Sequence, residues 1–138
     1  MKAEIQAKLE KLEEYTRLLK KYQAHDLEGL KEDPTLRGAT ERYFETALEC
    51  ILDIGGMIIS MEGLRKPDKY REIIEILGDE GILSREFVER FAPAAGFRNI
   101  LVHMYAEVDV EKLYEHLQKD LKDFDVFARQ VAKYLKEK

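Results

Sequence analysis

The sequence has little of what an extracellular or membrane protein is built with. A single cysteine, Cys50, excludes an internal disulfide and suits a reducing compartment. The longest strongly apolar stretch, roughly Ala47 to Met61, is interrupted by Glu49 and Asp53. It also falls short of the ~20 residues that a membrane span needs. The opening segment, Met1 to Lys8, carries no apolar run of the secretory kind, so no leader is expected and the expected location is the cytoplasm. No alternating strand pattern, internal repeat, low-complexity tract or interdomain linker interrupts the 138 residues. A single domain spanning 1–138 follows. No set of His, Cys and carboxylates has the spacing of a zinc site, which disfavours a metal mechanism, and no cofactor is expected. Positive charge is scarce too: the net charge is −5. That argues against a protein that coats nucleic acid through bulk charge, but an enzyme touching one or two phosphates needs no such surface.

What is present reads as helix. Charged residues make up 37% of the chain and apolar residues 45%, the balance of a folded globule. Ile5, Leu9, Leu12, Leu19 and Tyr22 recur at helical spacing, with Lys and Glu between them. Residues 25–30 are expected to turn. Asp33 reads as an N-cap with Pro34 at the first helical position, opening a long second helix with Tyr43, Ala47, Ile51, Ile54 and Ile58 on one face. Gly55-Gly56 inside it marks a close helix–helix approach or a kink. Asp68 is expected to cap a short third helix ending near Leu77, before a loop at 78–81. Ser84 starts a fourth helix, which Pro93 is expected to kink or break. Asp109 caps a last helix with Leu113, Leu117, Leu121, Phe124, Val131 and Leu135 on one face. The expected architecture is an all-α bundle of about five helices.

Chemistry concentrates in Arg98-Asn99-Ile100-Leu101-Val102-His103-Met104-Tyr105. Arginine is almost never buried unpaired, and histidine is the side chain best able to exchange a proton near neutral pH. Both sit here in an apolar run, with the chain's only asparagine and a tyrosine. On one helix, Asn99 and His103 share a face, while Arg98 and His103 diverge by about 140°. One copy cannot easily aim both at one phosphate. Two copies related by a two-fold axis can, which favours a homodimer with a shared cleft and an interface on leftover apolar surface of the second and fourth helices. In such a cleft a histidine pair can act as base and acid on an RNA 2′-hydroxyl and the leaving 5′-oxygen, each typically worth roughly 10²–10⁴-fold. Arginine's planar fork matches phosphate oxygens. Asn99 can orient the imidazole or hold the RNA backbone.

The pattern R-x-x-x-x-H-x-Y resembles the signature of the HEPN ribonucleases. Its wording, R-N-x-L-V-H-x-Y, is similar to the HepT-like toxins that pair with a minimal nucleotidyltransferase (MNT) antitoxin. Asp53-Ile54-Gly55, the Pro67-x-x-Tyr70 turn and Phe97-Arg98-Asn99 extend the likeness over most of the chain. The resemblance implies a homodimeric HEPN fold and an endoribonuclease toxin with tRNA as its favoured substrate. It also implies catalytic roles for Arg98 and His103, and Tyr105 as the residue that the antitoxin modifies with AMP. Bulky phosphodiester charge beside His103 would occupy the place of the RNA phosphate.

Plainer readings stand beside these. Arg98 can staple two helices through Asp53 or Glu45, and Asp53 can equally be a packing residue or a partner of the motif. Arg65, Lys66, Lys69 and Arg71 form a basic cluster that reads first as solvated surface and second as an RNA guide. His25 and His116 read as surface residues. The rival to an enzyme is a non-catalytic helical module that binds a nucleotide or a protein.

Overall fold

In a computed structural model the backbone is described for residues 1–102 and 109–138, and side chains for 1–98 and 109–138. His103 and Tyr105 therefore lie outside the described residues, and of Asn99 only the backbone is described. Seven helices and no strand occur among the described residues: α1 (Lys2–Tyr22), α2 (Leu27–Glu32), α3 (Pro34–Met61), α4 (Tyr70–Asp79), α5 (Arg85–Val102), α6 (Val110–Lys119) and α7 (Leu121–Lys136). None of them is long and apolar enough to cross a membrane.

The long helix α3 is the axis of the fold. Asp33 accepts from the backbone N–H groups of Thr35 and Leu36, both at 3.1 Å, and Pro34 follows at a position where a missing N–H costs nothing. Phe44, Leu48, Ile51, Ile54 and Ile58 are fully buried along it. Around it pack α1, α4, α5, α2 and α6, while α7 closes the far side against α1, α5 and α6. Phe44 meets Phe97 edge-on at 5.7 Å and Phe124 at 5.4 Å, tying α3, α5 and α7 through one aromatic centre. Gly55 makes the close approach expected of the glycine pair. A Cβ there would run into the Ile73 Cγ2 methyl of α4, whereas one at Gly56 would meet nothing within 4 Å.

Five features of the element boundaries differ from expectation. Residues 27–32 form a helix, not a turn, because Asp26 caps it by accepting from the Gly29 N–H at 2.8 Å. Lys69, not Asp68, precedes α4, and it makes no side-chain cap. That helix also runs on through Gly78 and Asp79. Helix α5 is continuous across Pro93. Proline removes one backbone hydrogen bond there, and burial of Phe87, Phe91, Ala94, Ala95 and Phe97 on both sides outweighs that loss. The last helix divides at Asp120. Asp109 caps α6 as expected, accepting from Glu111 and Lys112, but α6 packs on α2 while α7 packs on α1, and one straight rod cannot follow both.

Candidate active site

Arg98 sits in the last turns of α5 and is held from two other helices. Glu49 of α3 lies 3.6 Å from Nη2, and the Tyr70 hydroxyl at the start of α4 accepts from Nη1 at 2.7 Å. The Tyr70 ring also lies against the guanidinium, 4.6 Å from Cζ. Arg98 retains 21% side-chain exposure, so it is neither sealed nor free. At 3.6 Å the Glu49 contact is electrostatic and too long for a good hydrogen bond. The Nε donor is buried and finds no partner among the described residues. A buried donor left unsatisfied costs about 1–3 kcal/mol.

The plainer pairing of Arg98 with Asp53 or Glu45 does not form. Asp53 pairs with Lys8 of α1 at 3.1 Å, and Glu45 with Arg42 at 3.5 Å. Glu45, Glu49 and Asp53 are four residues apart and share one face of α3. Only the level at which α5 crosses that face selects Glu49. Neither Glu49 nor Tyr70 was among the expected site residues. The Pro67-x-x-Tyr70 turn is part of the likeness to HepT, but nothing in its spacing announces a contact with Arg98.

The basic cluster resolves into two parts. Arg65 pairs with Glu72 at 3.0 Å and Arg71 with Glu75 at 3.8 Å, while Lys66 and Lys69 enter no ion pair among the described residues. Lys69, Tyr70 and Arg71 line an open groove of about 520 Å³, together with Pro67, Asp68, Ile73 and Gly96. A second groove of similar size, between the ends of α3 and α7, contains no residue of the motif.

His116, expected at the surface, is partly so: its side chain keeps 28% exposure. Its ring stacks on Phe97 with centroids 4.0 Å apart, and its Nδ1 meets an Asp120 carboxylate oxygen at 2.7 Å. The imidazole body is flat and apolar enough to cover Phe97, and its polar edge finds an acid one helical turn on. The residue before Arg98 is thereby braced from α6. Of the large apolar side chains described, only Met1 and Met61 are strongly exposed, while Leu36, Tyr43 and Met57 of α3 and Val88 of α5 are partly buried.

A model of the family described as "Ribonuclease HepT-like" matches residues 8–131. The chain belongs to that family. Among HepT relatives, it is 28% identical over 132 residues to the "tRNA nuclease HepT" of Aphanizomenon flos-aquae (strain 2012/KM1/D3), covering 95% of this chain and 89% of that one. It is 26% identical over 97 residues to the "mRNA nuclease HepT" of Shewanella oneidensis (strain MR-1), covering 70% and 73%. Its fold superimposes with a TM-score of 0.82 on a tri-AMPylated Shewanella oneidensis HEPN toxin solved in complex with MNT antitoxin, over 94% of this chain and 96% of that one at 22% identity. The all-α HEPN fold and the HepT-like family expected from the sequence are thus borne out. With the family comes the reaction class, an endonuclease acting on RNA.

Proposed function

We propose that this HepT-like chain is the toxin of a toxin–antitoxin pair, a cytoplasmic, metal-independent endoribonuclease with tRNA as its substrate. Two copies form the active unit, and each contributes Arg98 and His103 to one shared cleft. The observation that carries the reading is the state of Arg98. Its guanidinium is anchored at Nη1, while Nη2 has only a loose electrostatic neighbour in Glu49, and part of the side chain remains exposed. An arginine whose whole task was to staple helices would spend its fork on a close bidentate carboxylate. This one keeps donor capacity for a phosphate oxygen.

Arg98 binds the scissile phosphate and stabilises the charge that grows on it in the transition state. His103 of one copy takes the 2′-hydroxyl proton, and His103 of the other returns a proton to the departing 5′-oxygen. Asn99, four residues before His103 in the sequence, orients the imidazole or the RNA backbone. A nucleotidyltransferase antitoxin of the MNT type transfers AMP from ATP to the Tyr105 hydroxyl oxygen, which loses its proton as pyrophosphate departs. The added phosphodiester then excludes RNA phosphate by charge and bulk.

The test is tRNA incubated with the protein, with and without EDTA. Cleavage should persist in EDTA and disappear in Arg98→Ala and His103→Ala. An excess of His103→Ala mixed with the wild type should suppress cleavage beyond simple dilution, because an exchanged dimer has lost one of the two imidazoles. Intact RNA at large enzyme excess would leave the binding module as the better reading. After co-expression with an MNT transferase, mass spectrometry should find one adenylyl group or more, the first on Tyr105.

A further inference from the structure

The residue that does most to hold Arg98 lies outside the R-x-x-x-x-H-x-Y motif. Tyr70 opens α4, and its side chain acts on the same guanidinium in two ways. Its hydroxyl oxygen accepts from Nη1 at 2.7 Å, and its ring lies 4.6 Å from Cζ. A hydrogen bond alone leaves the guanidinium free to tilt about the donor–acceptor line. A ring face beside the cation, by itself, leaves it free to slide and turn over that face. Together the two contacts restrict both kinds of motion.

Glu49 cannot do this, because a carboxylate at 3.6 Å attracts charge without setting direction. Nor can Nε, which has no partner among the described residues. Tyr70 itself is half-buried and forms part of the wall of the 520 Å³ groove that Lys69, Arg71 and Gly96 also line. Arg98 itself is not among the residues that line that groove, so Tyr70 stands between the guanidinium and the open space beside Lys69.

We propose that Tyr70 is a positioning residue whose hydroxyl and ring together aim the Arg98 guanidinium at the RNA phosphate. The inference rests on the catalytic role proposed for Arg98 above. Phosphate recognition by arginine is planar and forked, so an error in the plane is an error in the transition state. A misplacement of about 1 Å can cost about a hundredfold in rate.

The decisive variant is Tyr70→Phe, which keeps the ring and removes only the hydroxyl. With tRNA as substrate, kcat is expected to fall about tenfold with the melting temperature near that of the wild type. A companion measurement needs no cleavage: affinity for a fully 2′-O-methylated RNA, which has no nucleophile to offer. Tyr70→Phe should weaken that affinity about threefold in the wild-type background and leave it unchanged in Arg98→Lys, because an ammonium has no plane to aim. Equal weakening in both backgrounds, or wild-type kcat and affinity in Tyr70→Phe, overturns the inference while leaving the ribonuclease reading intact. Failure of the wild type to cut any RNA has the opposite effect: the ribonuclease reading falls, and the binding cycle still decides whether Tyr70 aims Arg98.

Discussion

The crossing of α3 and α4 at Gly55 can be tested with an internal control. Gly55 and Gly56 are consecutive in the middle of α3, so replacing either by alanine gains the same helix propensity, about 1 kcal/mol. Their surroundings differ sharply. A Cβ at Gly55 would strike Ile73 Cγ2 and lie 3.4 Å from Leu77 Cδ1, while one at Gly56 would meet nothing within 4 Å. Ile73 is β-branched, and its Cγ2 methyl sits directly on Cβ, so it cannot swing aside without a change of rotamer or a shift of α4. Overpacking of this kind costs about 1–3 kcal/mol. Gly56→Ala should therefore be more stable than the wild type by up to about 1 kcal/mol, and Gly55→Ala less stable than Gly56→Ala by about 1–3 kcal/mol. Urea denaturation of the two variants, compared at equal slopes, measures the difference directly. In a domain of this size it amounts to roughly 3–5 °C of melting temperature per kcal/mol. Two variants of equal stability, or Gly55→Ala the more stable, would refute the close crossing. Because α4 begins with Tyr70, Gly55→Ala should also lower RNA cleavage at temperatures where it remains folded.

Other outcomes follow from single contacts. Asp53→Asn breaks a pair with Lys8 in which the acid is 55% exposed; it should cost less than about 1 kcal/mol and leave RNA cleavage unchanged, and a clear loss of cleavage would return Asp53 to the site. Burial pushes the Cys50 thiol above its usual value of 9.0, with Lys8 opposing, so alkylation by iodoacetamide at pH 8 should be slow in the native protein and fast in denaturant; similar rates in both would show that the thiol is not buried. Asp109→Ala removes the acceptor for two N–H groups at the start of α6 and should cost about 0.5–2 kcal/mol in thermal unfolding; an unchanged melting curve would mean that the cap does not form in solution.

Much of the architecture was open to reading because its signals are local. Asp33 before Pro34, Ser84 before α5 and Asp109 before α6 each satisfy helix N–H groups within three residues of themselves, and such chemistry does not depend on the rest of the fold. Where expectation failed, two local signals competed, or a distant contact decided. Pro93 is a helix breaker by itself, yet the aromatic burial on both sides carries α5 through it. The pattern from Leu113 to Leu135 is periodic throughout, and nothing local reports that its two halves pack on different helices.

The same division runs through the site. The motif from Arg98 to Tyr105, the likeness to HepT and the all-helical class all lie in the order of side chains along one segment or one face, so the sequence alone determined them. What holds Arg98 belonged to the tertiary structure. Three acids stand at equal spacing on α3, and only the depth at which α5 crosses that helix selects Glu49 over Glu45 and Asp53. Tyr70 reaches Arg98 from 28 residues away because Gly55 lets α4 lie close against α3. Covalent order sets which groups a helix face can offer; the packing of one helix on another sets which of them meet.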